Sequence, residues 1–154
     1  QKRNNKIEYF MHCASKYVID YCIGIGCDTI VIGYNEKWKQ NSKMSRKVNQ
    51  EFIQLPYENF INKLRYKCEN QGIILIDTEE SYTSGTSFLD NELPIKENYI
   101  KKRRIHRGLF KSNGDILINA DVNGAYQIIK KVFPKAFADE IVGVDLHPIR
   151  VNVG

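Results

Sequence analysis

The chain has 154 residues, of which 42% are hydrophobic and 27% are charged, with a formal net charge of +5. This size allows one domain with a substantial core, and the composition is ordinary for a soluble globular protein. A run of about 18 apolar residues, which a membrane-spanning helix needs, does not occur, so we expect a cytoplasmic protein with no membrane partner. The N-terminal sequence QKRNNK has no initiator Met and no apolar stretch, which argues against a signal peptide and favours a chain that begins inside a longer protein.

The first predicted element is a helix over 7–26, whose apolar residues recur at three- and four-residue steps from Phe10 to Ile25. A strand over 28–35 follows, because the segment is short and rich in β-branched residues. We expect this strand to be buried on both faces. A polar and basic loop then extends to about residue 50.

A second helix is predicted to begin near Pro56 and to end at Gly72, and the apolar run 73–77 is a second strand. A helix between two short apolar strands is a βαβ unit, which pairs its strands in parallel. Two strands are too few for a stable parallel sheet. We therefore predict an α/β domain that is incomplete at its N-terminal strands.

Residues 81–118 show no helical periodicity, although 108–118 predicts a hairpin that turns at SNGD. The segment 119–133 predicts a final helix, with Asn119 or Asp121 at its start. The tail after residue 140 mixes apolar and polar residues and predicts either an edge strand or loose packing.

The cysteines form no C-x-x-C pair, and three of them fall on apolar helical faces. We interpret them as small buried side chains that stay reduced, in preference to metal ligands or disulfides. The four are Cys13, Cys22, Cys27 and Cys68.

Positive charge is concentrated in two segments. Residues 96–111 contain seven Lys or Arg and one Glu, and residues 36–49 contain five and one. Clustered cations gain binding free energy by displacing counterions from phosphates, so these segments favour a nucleic-acid partner over two merely solvated loops.

Carboxylates follow the second predicted strand and begin the last predicted helix. Glu79 and Glu80 lie just past the strand, where parallel sheets gather functional groups, and Asp121 lies on a helix that must pack on the same sheet. Carboxylate oxygens from separate elements can hold Mg²⁺, which supports phosphodiester cleavage. The structural alternatives are a solvated turn for the two glutamates and a helix N-cap for Asp121.

Several segments together resemble the TnpB (OrfB) proteins of bacterial insertion sequences, which are RuvC-like nucleases related to type V CRISPR effectors and to Fanzor proteins. The segment ADVNGAYQIIKK (120–131) is similar to their third catalytic motif, and YTSGTSFLD (82–90) to the Thr-Ser segment that opens their zinc ribbon. IVIGYNEKWKQ (30–40) is similar to the second-motif strand of one subgroup.

This resemblance implies an RNase H-like (RuvC-like) fold and an RNA-guided DNA endonuclease with three acids, Mg²⁺ and a guide RNA derived from the mobile element. On this basis Asp121 is the third acid. The strand with the first acid lies outside this chain, so we expect the chain alone to be inactive. The usual second acid falls at Gly33, and some relatives carry it instead just before the Thr-Ser segment. Glu80 matches that place, with Glu79 as the alternative if the strand is one residue longer.

The family's zinc ribbon requires four cysteines, and residues 81–118 contain none. We therefore predict a basic insertion without zinc. The expected organisation is a RuvC-like part over 1–80, the insertion over 81–118, and the third-motif helix with the tail over 119–154.

The candidate phosphate contacts lie in the two basic segments: Lys37, Lys39, Arg103, Arg104 and Arg107. We predict the C-terminal RuvC-like nuclease portion of a TnpB-type putative transposase, with DNA and guide RNA as partners. One alternative is a catalytically dead or incomplete nucleic-acid-binding module. Another is a guide-independent recombinase of the RNase H fold.

Overall fold

The computed structural model describes residues 2–34, 51–137, 141 and 143–153. Three longer helices and five strands occur within them: α1 (Lys2–Gly24), β1 (Thr29–Tyr34), α2 (Glu51–Gln71), β2 (Ile74–Glu79), β3 (Arg104–His106), β4 (Leu109–Lys111), β5 (Leu117–Asn119) and α3 (Ala120–Val132). The chain is therefore a mixed α/β protein with small sheets. Over these residues, no helix is both long and apolar enough to cross a membrane.

The chain divides into two compact units. The first contains α1, α2 and the opening residues of β1 and β2. The second contains the remainder of those two strands together with β3, β4, β5 and α3. Both acids that the sequence singled out, Glu80 and Asp121, belong to the second unit.

In the first unit, α1 packs against α2. It begins earlier than the periodicity predicted, and it buries Ser15, Ile19 and Cys22. Much of the predicted apolar stripe is instead exposed, including Phe10 and Tyr21. The spacing of apolar residues could not show which side of the helix is buried, because tyrosines and isoleucines occur on both sides. All four cysteines are free thiols, and burial raises the pKa of Cys22 to about 11.

Strands β1 and β2 form a two-stranded sheet. The amide of Ile74 donates to the carbonyl of Asp28 at 2.8 Å, and the amide of Glu80 donates to that of Tyr34 at 3.0 Å. In both bonds the donor lies the same number of residues after the acceptor along the chain. The strands therefore run parallel, as the βαβ pattern predicted. Every residue of β1 is half-buried, so the prediction that this strand is buried on both faces was wrong.

The predicted hairpin is confirmed. Strands β4 and β5 pair antiparallel, with Phe110 opposite Ile118, and the turn is closed by the amide of Asp115 on the carbonyl of Ser112 at 3.2 Å. Strand β3, which comes from the basic block, adds to β4. Phe88, Phe110 and Ile118 have no exposed surface and form the core of this unit.

Candidate metal and nucleic-acid site

The backbone of Glu80 is held on both sides, and its carboxylate is not. Its amide donates to the carbonyl of Tyr34, its carbonyl accepts from the amide of Thr83 at 3.3 Å, and the Thr83 hydroxyl donates to the same carbonyl at 2.8 Å. Thr83 therefore closes a turn at the end of β2. Among the described residues, the half-buried Glu80 carboxylate has no hydrogen-bond or ion-pair partner.

Gly33 lies beside Glu80 on the neighbouring strand. A Cβ atom at Gly33 would lie 3.3 Å from the Cβ of Glu80 and 2.6 Å from the Cδ1 of Ile128 on α3. A side chain at position 33 would thus start in contact with the side chain of Glu80, on the same side of the sheet. The absence of a side chain at Gly33 leaves that space to Glu80 and Ile128.

Glu79 is the last residue of β2, and its carboxylate is occupied. It forms an ion pair with Lys131 of α3 and accepts a hydrogen bond from the amide of Ser81 at 2.8 Å. Partial burial alone would raise the pKa of Glu79, but the hydrogen bonds from Lys131 and Ser81 outweigh it and lower the pKa to about 2. Glu79 therefore anchors α3 to the end of β2, whereas Glu80 is the glutamate here that has no side-chain partner among the described residues.

Asp121 lies in the first turn of α3 but does not cap it. The side-chain oxygen of Asn119 accepts from the amides of Asp121 and Val122 at 2.9 Å and 3.1 Å. The helix cap, which was the structural alternative for Asp121, is thus supplied by Asn119. The Asp121 carboxylate is exposed and has no partner within the described part of the chain.

Asp121 shares a face of α3 with Ile128, the residue that contacts Gly33. The two are seven residues apart, which is two helical turns or about 10 Å along the helix axis. Helix α3 therefore presents Asp121 and the contact with the sheet on the same side. A cation held by both acids would have to bridge that interval with the length of the Glu80 side chain.

Two buried side-chain amides of α3 form hydrogen bonds with the Thr-Ser segment. Asn123 donates to the carbonyl of Thr86 at 2.9 Å and accepts from the amide of Phe88 at 3.0 Å. Gln127 donates to the Thr86 hydroxyl at 2.9 Å. Asn123 thus bonds the backbone on both sides of Ser87 and fixes α3 relative to the segment that follows Glu80.

Arg103 has a structural role. Only 10% of its side chain is exposed, and it pairs with Glu92, donating to Glu92 Oε1 at 2.7 Å and to Asn113 Oδ1 at 2.8 Å. The hydrogen bond to Glu92 raises the pKa of Arg103. Its guanidinium is therefore engaged within the protein, and is not a free phosphate contact as the basic run had suggested.

Other cations of the basic block face solvent. Arg104 and Arg107 are exposed, and Arg104 donates to the carbonyl of Arg107 at 2.8 Å. Both guanidinium groups lie on or next to β3, at one edge of the three-stranded sheet. Lys37 and Lys39 lie outside the described residues.

Glu80 and Asp121 each offer a carboxylate without a partner among the described residues. Carboxylates are the type of ligand that Mg²⁺ accepts, with water and phosphate oxygens completing its coordination. No cluster of three or more His, Cys, Asp or Glu side chains with metal-binding geometry occurs in the described ranges. The absence of zinc from the insertion stays a prediction.

A family model described as Cas12f1-like, TNB domain matches residues 57–128, somewhat less than half of the chain. The matched segment contains Glu80, Asp121 and Asn123. No curated protein matches the chain by sequence.

Among solved structures, the chain is similar to one described as the cryo-EM structure of the Cas12f1-sgRNA-target DNA complex. The TM-score is 0.58 and the sequence identity 20%, and the match covers 82% of this chain and 34% of that chain. The protein described here thus spans about a third of the length of the matched chain. At this identity the likeness concerns the fold, and with the family match it supports a relationship with nucleases of the TnpB and Cas12f type.

Proposed function

We propose that this chain is the C-terminal RuvC-like, RNase H-fold nuclease portion of a TnpB-type protein, an RNA-guided endonuclease that cleaves DNA with divalent metal. It is assigned to the subgroup that has no ribbon cysteines and in which the second acid has moved to Glu80. Guide RNA derived from the mobile element and target DNA are its partners. The matched solved structure, a complex with sgRNA and target DNA, supports this assignment.

The observation that carries the proposal is the contact between Gly33 and Glu80. The family places its second acid at the position of Gly33, and the Cβ of Glu80 lies 3.3 Å from where a Cβ of residue 33 would be. The Glu80 carboxylate, just past the end of the neighbouring strand, thus starts within contact distance of that point. The anchoring of Glu79 by Lys131 and the hydrogen bonds around Glu80 orient that strand end.

The proposal assigns a role to each of the residues concerned. Glu80 and Asp121, with an acid from the preceding part of the protein, would hold Mg²⁺. When bound, the metal would activate the attacking water and stabilise the leaving 3′ oxygen. Asn123 and Gln127 keep α3, and with it Asp121, in register with the turn that carries Glu80. Lys37, Lys39, Arg104 and Arg107 would contact phosphates, which positions the nucleic acid without reading its sequence.

Single substitutions of the two acids test the proposal. Glu80→Gln and Asp121→Asn keep side-chain size and remove charge, so each is expected to reduce Mg²⁺-dependent cleavage by the full-length protein to background while nucleic-acid binding persists. Glu97→Gln, an exposed carboxylate in the same unit, is the matched control. Cleavage that is unchanged in Glu80→Gln would refute the relocated acid.

A binding module without nuclease activity is the second candidate. It is favoured by Gly33, which carries no carboxylate at the position where the resemblance places the second acid. The two functions separate in one assay, because the module predicts guide-dependent DNA binding with no cleavage at any Mg²⁺ concentration. RNA that co-purifies with the protein would distinguish both from a guide-independent recombinase.

A further inference from the structure

The turn that follows Glu80 contains a tyrosine in an unfavourable backbone conformation. Tyr82 is the third residue of the turn that Thr83 closes on Glu80, and its φ is 65°. A turn position with positive φ favours Gly or Asn, because a Cβ atom crowds the backbone there. The chain nevertheless carries a large ring at this position, and 39% of its surface is exposed. Residues kept in strained conformations gather at functional sites.

A second tyrosine supports this ring. Tyr82 and Tyr99 meet edge to face, with ring centroids 6.0 Å apart and an interplanar angle of 72°. The ring of Tyr99 lies directly on Gly85, where a Cβ atom would be 2.4 Å from Tyr99 Cε2. The amide of Ile100 donates to the carbonyl of Gly85 at 2.9 Å, which holds the backbone next to Tyr99 in place.

Cations continue directly from this aromatic pair. Lys101 and Lys102 begin the turn after Ile100, and both are exposed. Two exposed rings beside two exposed lysines, on a segment that begins at Glu80, combine a stacking surface with charges for a phosphate backbone. Surfaces that bind single-stranded nucleic acid have this combination.

We propose that Tyr82 and Tyr99 form a stacking site for an unpaired base of single-stranded DNA, with Lys101 and Lys102 on its phosphates. The inference rests on the proposed nuclease function, because it places the strand next to Glu80. The strand must be single, since the bases of a duplex already stack on one another and leave no face for a tyrosine. Stacking is tolerant of sequence, so the site holds the strand without choosing the cleavage position.

Binding of a fluorescent 12-mer of thymidylate to the full-length protein, in EDTA and at several salt concentrations, tests the stacking site. Tyr82→Gly and Tyr82→Asn suit the positive φ and remove the ring, so both should keep or raise the melting temperature and weaken binding by about tenfold. Tyr82→Phe keeps the ring and should bind within about twofold of the unaltered protein. Tyr9→Ala, which removes a tyrosine with 66% exposure from α1, should leave binding unchanged.

The outcomes separate this site from the nuclease assignment. Binding is measured in EDTA and cleavage in Mg²⁺, so an unaltered protein that binds the 12-mer through Tyr82 but never cleaves would keep the stacking site and refute the nuclease. Unchanged binding by both Tyr82→Gly and Tyr82→Asn would overturn the site. A loss confined to an RNA 12-mer or to duplex DNA would also overturn it.

Discussion

The Cβ of Glu80 lies 3.3 Å from the point where a Cβ atom on Gly33 would be, on the neighbouring parallel strand. On the proposed function, the two positions are alternative attachment points for one carboxylate. Glu80 would then present the acid from the end of β2, whereas the family resemblance places it on β1 at position 33. This relationship can be tested by moving the glutamate from position 80 to position 33.

Moving the acid back should restore cleavage. Glu80→Gly is expected to be inactive, and adding Gly33→Glu together with Ile128→Ala should raise Mg²⁺-dependent cleavage at least about tenfold above that background. Ile128→Ala is needed because its Cδ1 lies 2.6 Å and its Cγ1 3.1 Å from the new Cβ. The single variant Ile128→Ala, assayed for cleavage and melting temperature, is the control. A triple variant that folds but stays at background would contradict the exchange.

Removing the Asn123 amide should destabilise the second unit strongly. Asn123 is fully buried, and Asn123→Ala leaves the Thr86 carbonyl and the Phe88 amide unpaired in the interior. We expect a loss of about 2–4 kcal/mol in the free energy of unfolding, measured with urea. Asn98→Ala removes a solvent-accessible bond to the carbonyl of Leu93 and should cost no more than about 1 kcal/mol. Equal losses in the free energy of unfolding of the two variants would show that the buried hydrogen bonds of Asn123 do not stabilise the second unit.

The ion pair between Glu79 and Lys131 should make stability depend on acid pH. Since the pKa of Glu79 is lowered from 4.5 to about 2 in the folded protein, the pair stabilises the fold above the ordinary pKa. That contribution should disappear as the pH falls through about 2. Melting temperatures from pH 7 downward should fall less steeply for Glu79→Gln than for the unaltered protein. Glu97→Gln should keep the original steepness, and identical curves for all three proteins would contradict the assignment.

The guanidinium of Arg103 should be irreplaceable by an amine. Its side chain donates to both Glu92 and Asn113, and a lysine cannot reproduce this planar arrangement. Arg103→Lys is expected to lower the free energy of unfolding by about 1–3 kcal/mol with the charge unchanged. Arg107→Lys, at an exposed site, should change stability by less than about 0.5 kcal/mol. A larger loss in the free energy of unfolding for Arg107→Lys than for Arg103→Lys would indicate that Arg103 acts as a surface cation.

The insertion should fold without zinc. Residues 81–118 contain no cysteine and His106 as their only histidine, whereas a structural zinc site needs four suitable donors. We expect native mass spectrometry to show no stoichiometric zinc and EDTA to leave the melting temperature unchanged. Stoichiometric zinc, or a lower melting temperature in EDTA, would show that the insertion is a metal site.

Several elements could be predicted from local sequence because local rules determine them. The hairpin at SNGD and helix α3 follow from turn residues and from period, and the parallel pairing of β1 and β2 follows from the intervening helix. The side of α1 that is buried was not predictable, because both of its sides carry apolar residues and only the position of α2 distinguishes them.

The sequence by itself determined the α/β class, the basic block and the position of Glu80 and Asp121 at element ends, since composition, period and motif order are properties of the chain. Only the tertiary structure decided what each polar side chain does. Lys131 and Glu79 are 52 residues apart, and Arg103 and Glu92 are 11 apart, so no local pattern marks either pair. Long-range packing engaged Glu79, Arg103 and Asn123 in the structure and left Glu80 and Asp121 without protein partners among the described residues.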